Sequence, residues 1–206
     1  FSPFASAIND LAAAPVRRDD NEALAWNSAQ IDFVKAHVTD LVYDFWRRYP
    51  RLRFTFSLTS YFREFRFAGI DSLDVLEVHN WIHHPQFDVR TGFPDLPKDR
   101  ISNRDYSDYG RRLHETMDAV RPMLMKRMHN RMAECRDWAE SLAAPLVTTE
   151  AWGPWWHMDH PDLDWAWLAE WCQECLSAAT RYGYWGATPW NYCHPYWQNW
   201  ADVEWY

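Results

Sequence analysis

The sequence lacks an excess of positive charge, a membrane-length apolar run and a recognisable secretory signal. Its 206 residues carry 21 Lys and Arg against 29 Asp and Glu, a formal net charge of −8. This charge argues against nucleic acid or an anionic membrane surface as the partner, and no apolar stretch is long enough to span a bilayer. Residues 1–11, FSPFASAINDL, show neither a signal-peptide pattern nor an initiating Met, so they resemble the interior of a longer protein. Because no signal is visible, we expect a cytoplasmic location.

Cysteine is also scarce, and this scarcity excludes a disulfide-based fold. The four cysteines are Cys135, Cys172, Cys175 and Cys193, too few for a disulfide scaffold of this length. Cys172 and Cys175 form a C-x-x-C sequence inside a helical pattern, without the second pair that a zinc ribbon needs. We therefore predict buried thiols, with a redox or metal role as the alternative, and expect no cofactor.

Tryptophan, in contrast, is abundant. The chain contains 15 Trp, and eleven of them lie between Trp152 and Trp205. Trp is large, and its N–H needs a partner when it is buried. Such a density next to polar residues is typical of a surface that stacks on sugar rings or other flat ligands, and the alternative is an aromatic-rich core. The apolar content of 48% indicates an ordered globular domain.

The hydrophobic pattern predicts alternating helices and strands. Apolar residues at three- and four-residue steps predict helices over residues 27–49, 107–143 and 162–182. Pro122 is expected to kink or divide the second of these helices. Strands are predicted over 51–58, 74–80 and 144–150 and within 182–192, and a long loop over 86–106. This order predicts an α/β fold with a parallel sheet and one domain over residues 1–206, with its site at the carboxyl ends of the strands.

Polar and aromatic side chains collect at those predicted strand ends. The candidate site residues are Glu150, His79, Trp81, Trp152, Trp190 and Asn191. Such a set suits a sugar, because rings stack on a pyranose face, amides and carboxylates bind hydroxyls, and one carboxylate can attack the anomeric carbon. Glu150 and His79 have structural alternatives, as a carboxylate paired with an arginine and as a buried core histidine. The tryptophans have the alternative of being ordinary core residues.

Two further groups stay open at this point. His157 and His160, with Asp159 between them, have a spacing that a metal ion can use, but this spacing is unspecific on a loop. We assign no metal, and a metal-dependent hydrolase is the third-ranked hypothesis. Glu77 alternates with His79 along its predicted strand and is either an interior polar group or a structural partner of Arg66.

Several stretches resemble a known family. The stretches LEVHNWIHHP, TTEAWGPWWHMDHPDLDW and GATPWNYCHPYWQNW are similar to bacterial proteins described as cellulase-like. The runs PLVTTEAWGPWW and YGYWGATPWNY resemble strands seven and eight of the clan A glycoside hydrolases, the clan that contains cellulase family 5. This resemblance implies a (β/α)8 TIM barrel, of which the chain holds about strands five to eight, the C-terminal half. It also implies a retaining mechanism on a β-linked glycan.

The resemblance also implies roles for individual residues. Glu150 matches the nucleophile at the end of strand seven, and Trp190 matches the tryptophan that floors the sugar site nearest the scissile bond. His79 matches the histidine of strand six. Trp81 stands where many members have a tyrosine that hydrogen-bonds the nucleophile, which is a departure because an indole N–H donates but does not accept.

The family's acid/base, a Glu that follows Asn at the end of strand four, has no clear counterpart. The one Asn-Glu pair is Asn21-Glu22, and the charged residues 17–20 before it do not form an apolar strand. We therefore expect the acid/base upstream of Phe1, in a missing N-terminal half of the barrel. Alone, the chain is expected to associate through its open sheet edges and to have little turnover. The alternative is a cellulase-like protein that binds carbohydrate without hydrolysis.

Overall fold

The structure is a computed structural model that describes residues 3–11, 14–17, 23–59, 61–92, 107–154 and 166–189. Its helices are α1 (Pro3–Asp10), α2 (Ser28–Arg48), α3 (Phe62–Phe67), α4 (Pro85–Thr91), α5 (Ser107–Leu142) and α6 (Ala166–Arg181). Its strands are β1 (Ser57–Leu58), β2 (Leu76–Val78), β3 (Leu146–Ala151) and β4 (Gly186–Pro189). The fold is therefore mixed α/β. None of the helices in the described ranges combines the length and apolar character needed to cross a membrane.

The chain divides into two compact units. The first unit comprises Phe1–Val78 with Asp137–Leu146, and the second comprises His79–Arg136 with Val147–Tyr206. Strand pairing is parallel in both, since β1 pairs with β2 in the first unit and the β3 and β4 ladder of the second is also parallel. The parallel sheet predicted from the sequence is thus confirmed.

Helix α2 of the first unit begins at a complete capping box. The Asn27 side chain accepts from the Gln30 N–H, and the Gln30 side chain accepts from the Asn27 N–H, both at 3.0 Å. These two bonds satisfy donors that every helix start leaves open. The apolar stripe of α2 then packs into the core of the unit through Ile31, Val34, Val38 and Val42. The predicted helix over residues 27–49 is confirmed with nearly the same bounds.

The strand predicted over residues 51–58 is shorter in the structure. Only Ser57–Leu58 forms a ladder, in register with Glu77 and Val78. The preceding segment is held instead by Asp74, whose carboxylate accepts from the Phe54 N–H at 2.9 Å. A side chain thus takes the place of a strand partner, so the alternating apolar pattern continues without a ladder.

In the second unit, α5 runs through Pro122 as one helix of 36 residues, so of the two expectations for this proline, a kink or a division, the division is not observed. Proline removes one helical hydrogen bond, but the buried apolar stripe continues on both sides of it. Burying each such side chain contributes ~1.5–3 kcal/mol, enough in sum to outweigh one lost bond. The buried stripe comprises Leu113, Met117, Val120, Leu124, Met128 and Met132. Residues from Asp137 onward lie in the first unit.

The loop predicted over residues 86–106 begins as a helix, so this part of the prediction is wrong. His84 caps α4 by accepting from the Gln86 N–H at 3.2 Å, and Pro85 occupies the first turn, where its missing N–H has no consequence. Gly92 ends the helix at φ 75°, a conformation that favours glycine. Residues 93–106 lie outside the described part of the chain.

The ends of three chain segments meet in the second unit. Strand β3 pairs with β4 from Val147 opposite Gly186, with an irregular register before Ala151 opposite Pro189. On the other side, Asn80 forms a parallel bridge with Ala151. The residues that directly follow β2 therefore lie beside the end of β3, as parallel strands require.

Candidate functional site

The carboxylate of Glu150 and the imidazole of His79 meet at these strand ends. Glu150 Oε2 lies 3.3 Å from His79 Nδ1. The two side chains differ in exposure, since that of His79 is 6% exposed and that of Glu150 is 40% exposed. Two residues that are 71 positions apart thus form one group, with the histidine behind and the carboxylate facing solvent.

Several contacts fix the position of His79. Arg131 of α5 donates from Nη2 to the His79 carbonyl oxygen at 2.9 Å. The hydroxyl of Thr149 lies 3.5 Å from His79 Nε2, and the Trp81 ring meets the imidazole edge-on at a centroid distance of 5.9 Å. With its ring and main chain both held, His79 can donate from Nδ1 and orient one oxygen of Glu150. The other oxygen is then left for a ligand.

Trp81 continues the row of rings beyond His79. It is half-buried, and its other neighbour is His83, at a centroid distance of 6.4 Å and an interplanar angle of 62°. His83 Nδ1 lies 3.1 Å from Asp88 Oδ1 of α4. His79, Trp81 and His83 alternate along the chain, as side chains on one side of an extended segment do. The Trp81 side chain is partly exposed and lies next to His79.

Trp152 occupies a different environment from Trp81. Its side chain is fully buried in the apolar core of the second unit. Its N–H donates to the Asn80 carbonyl at 2.8 Å, and its carbonyl accepts from Trp171 Nε1 at 2.9 Å. Its backbone is left-handed, with φ 76°, a conformation that costs ~1–3 kcal/mol in a non-glycine residue and recurs near functional sites. Its role in stacking on sugar stays a prediction, because its contacts in the structure are with protein.

A polar pair next to His79, made of one buried and one partly buried residue, was not found by sequence reasoning. The Nδ2 of fully buried Asn80 donates to the Tyr184 hydroxyl at 2.9 Å. Burial raises the pKa of Tyr184 strongly, interaction with the Cys135 thiol raises it further, and the bond from Asn80 lowers it. The phenol is therefore neutral. One sequence signal was available, because Asn80 is a polar residue between His79 and Trp81, on the opposite side of an extended segment.

The remaining predicted residues have two outcomes. The described residues do not include Trp190, Asn191, His157, His160, Cys193 or the Asn21-Glu22 pair.

The three cysteines in the described ranges are buried thiols, as predicted, and these are Cys135, Cys172 and Cys175. Burial raises the pKa of Cys172 to about 12 and that of Cys175 well above its usual value, so both stay protonated and unreactive at neutral pH. Within the described ranges, no three or more His, Cys, Asp or Glu residues are grouped to hold a metal ion.

Comparison with known proteins identifies a family and a similar solved structure. Residues 4–206 match the family model Cellulase-like, which is described as sugar-binding cellulase-like. The fold is similar to a crystal structure of a "putative glycoside hydrolase" from Parabacteroides distasonis ATCC 8503, with a TM-score of 0.69 and 25% sequence identity. The similarity covers 83% of this chain and 46% of that one, so this chain spans about half of that protein's length. No curated protein sequence gave a match.

Proposed function

Because this chain belongs to the sugar-binding cellulase-like family, we propose that the Glu150–His79 site binds a β-linked glycan and serves its hydrolysis with retention. The observation that carries the proposal is the 3.3 Å contact between Glu150 Oε2 and His79 Nδ1 at neighbouring strand ends. In this contact a partly exposed carboxylate lies next to a buried imidazole, which supports a role of His79 in orienting Glu150. A half-buried indole, Trp81, lies against the same imidazole.

We also propose that the chain is one domain that forms the C-terminal half of a (β/α)8 barrel, about strands five to eight. Parallel strands alternate with helices along the described chain, as they do in such barrels. The similarity to 46% of a longer glycoside hydrolase-like chain supports the same proposal. The active-site rim of a barrel is the carboxyl end of its strands, which is where Glu150 lies.

In the proposed reaction, the Glu150 carboxylate attacks the anomeric carbon as the bond to the leaving oxygen breaks, and a covalent glycosyl ester forms. The leaving oxygen takes a proton from a second carboxyl group. Water then hydrolyses the ester, with the second group acting as base. Retaining enzymes hold the two groups ~5–5.5 Å apart. We assign the second carboxyl group to the other half of the barrel, and therefore expect the 206-residue chain to turn over natural glycosides poorly.

The sugar contacts follow from the same assignment. We propose that the exposed part of Trp81 packs against a sugar face, because an indole and a pyranose bury apolar surface together. Trp190 is proposed as the floor of the subsite beside Glu150, and Asn191 as a hydrogen-bonding partner of sugar hydroxyls. Trp152 supports this region from the core, through its backbone bonds to Asn80 and Trp171.

Covalent labelling tests the role of Glu150. The probe is a dinitrophenyl β-cellobioside that carries fluorine in place of the hydroxyl next to the anomeric carbon. Dinitrophenolate leaves without protonation, so the missing acid is not needed, and fluorine slows hydrolysis of the ester. Intact mass should rise by one fluorocellobiosyl group, with the label on the Glu150 peptide. Glu150→Gln should lower the labelling rate by ~100-fold or more, whereas Glu115→Gln on the exposed face of α5 should not. Equal labelling of the Glu150→Gln protein would remove Glu150 from the nucleophile role.

A second candidate function is sugar binding without hydrolysis. It is favoured by the family description, which names sugar binding. The same two proteins discriminate between the functions when cellohexaose binding is measured by calorimetry. Binding by wild type and Glu150→Gln alike, with no label in either, would favour the binding protein over the hydrolase.

A further inference from the structure

The Asn80–Tyr184 pair joins a fully buried side chain to a partly buried one that packs against the core of the second unit. Asn80 is fully buried and donates to the Tyr184 hydroxyl at 2.9 Å, across 104 positions of sequence. Tyr184 is neutral and lies against the Cys135 thiol. Losing one partner of a buried hydrogen bond leaves the other unsolvated, so such a bond is held more firmly than one at the surface.

This pair fixes the main chain rather than a ligand. The Asn80 carbonyl accepts from the Trp152 N–H at 2.8 Å, and the neighbouring His79 carbonyl accepts from Arg131 at 2.9 Å. Three hydrogen bonds from three different segments thus converge on two consecutive residues. Side chains alternate along an extended segment, so anchoring Asn80 on one side sets the direction of His79 and Trp81 on the other.

We propose that Asn80 and Tyr184 are positioning residues of the sugar site. Their hydrogen bond holds the His79 imidazole in line with Glu150, so that His79 Nδ1 keeps one carboxylate oxygen and the second faces the sugar. The catalytic consequence rests on the function proposed above. The structural part, a dependence of the His79–Glu150 contact on the Tyr184 hydroxyl, is measurable without any sugar.

The test compares Tyr184→Phe with Tyr182→Phe in the full chain. Both changes remove one hydroxyl, but Tyr182 is half-buried two residues away, with its ring against His129 and Arg136. Heteronuclear NMR of the His79 ring nitrogens, assigned with His79→Gln, reports the hydrogen bond to the carboxylate. We expect Tyr184→Phe to shift the Nδ1 resonance and Tyr182→Phe to leave it in place. The labelling rate should fall ~10- to 100-fold in Tyr184→Phe with little change in the concentration for half-maximal rate, because the reacting group is misplaced while the sugar contacts remain.

A second variant keeps the proposal testable if Tyr184→Phe does not fold. Asn80→Ala removes the donor instead of the acceptor and should give the same shift. An unchanged His79 resonance in either folded variant would overturn the proposal, even if labelling became slower. The slower labelling would then have a cause other than a displaced His79 ring. If wild-type protein takes no label at all, the proposed hydrolase function fails, and the His79 resonance still decides whether Asn80 and Tyr184 position the site.

Discussion

At the scale of single residues, Trp81 differs from the other tryptophans in how far its side chain is exposed. Trp152 and Trp171 are fully buried and Trp185 is 78% exposed, whereas Trp81 is half-buried. A ring that is partly held by protein and partly exposed can bind a flat apolar surface without first being ordered. His79 is one of the residues that hold it, at a centroid distance of 5.9 Å.

We predict that Trp81→Ala weakens binding of cellohexaose by ~5- to 150-fold, since aromatic stacking contributes ~1–3 kcal/mol. Trp185→Ala removes the same side chain from an exposed position before β4 and should leave the affinity within about twofold of wild type. Calorimetry measures both, and circular dichroism checks that both fold. Equal affinity of Trp81→Ala and wild type would mean that the indole does not contact the sugar.

Contacts between residues could be predicted from the sequence where they depend on strand position. His79 directly follows β2 and Glu150 lies near the end of β3, so parallel strands bring the two side chains together, as observed. The contact between Asn80 and Tyr184 could not be predicted in the same way, because no sequence pattern indicates a contact between residues 104 positions apart. Trp152 was grouped with the stacking tryptophans although its side chain is buried. Burial depends on tertiary packing, and the position of a tryptophan in the sequence does not indicate it.

At the scale of elements, Asp74 joins α2 to the segment before β1. Its carboxylate accepts from Trp46 Nε1 of α2 at 2.7 Å, from the Phe54 N–H at 2.9 Å and from Arg53 Nη1 at 3.0 Å. Burial alone would raise the pKa of Asp74, but the bonds from Phe54, Trp46 and Arg53 outweigh it and hold that pKa below its usual 3.8. The folded protein therefore favours the ionised carboxylate more than the unfolded chain does.

We predict that Asp74→Asn lowers the free energy of unfolding at pH 7 by ~1–3 kcal/mol, the usual loss when a hydrogen-bonded buried charge is removed. A lowered folded-state pKa stabilises above the unfolded value of 3.8, and this stabilisation is lost as pH falls through the folded pKa. The difference between wild type and Asp74→Asn in urea unfolding should therefore shrink below about pH 4. The exposed Asp71 provides the matched control, Asp71→Asn. A difference that stays constant down to pH 2 would contradict a stabilising role of the ionised Asp74 carboxylate.

Element types could be predicted where a periodic apolar pattern was long. Helices α2 and α6 and strand β3 follow their patterns closely, with α2 at Ser28–Arg48 and β3 at Leu146–Ala151. Short elements depended on local capping instead. Helix α4 (Pro85–Thr91) relies on the His84 cap and Gly92, and it lies in a stretch that otherwise has the composition of a loop. Pro122 did not divide α5, because core packing outweighed the local preference of proline.

At the scale of the whole molecule, the description of the family supports a carbohydrate ligand. The family model covers residues 4–206, and the α/β class with a parallel sheet follows from the alternation of helices and strands. The division into two compact units was not foreseen, because no composition change or linker marks it. The boundaries fall at Val78, the last residue of β2, and inside two continuous elements, at Asp137 within α5 and after Leu146 within β3, where a sequence pattern has no reason to change.

The net charge of −8 bears on which glycan this surface accepts. Charged groups act over a Debye length of ~10 Å at 0.1 M salt, so an anionic protein repels uronate chains most strongly at low ionic strength. We predict that the affinity for cellohexaose changes by less than about twofold as the salt concentration rises. A neutral ligand has no net charge that the charge of the protein could attract or repel. A cellouronate hexamer, which has the same linkage with carboxylates in place of the primary hydroxyls, should bind more weakly, and its affinity should increase with salt. Calorimetry at low and high sodium chloride measures both. Tighter binding of the cellouronate at low salt would show that a local basic surface, rather than the overall charge, governs the choice of glycan.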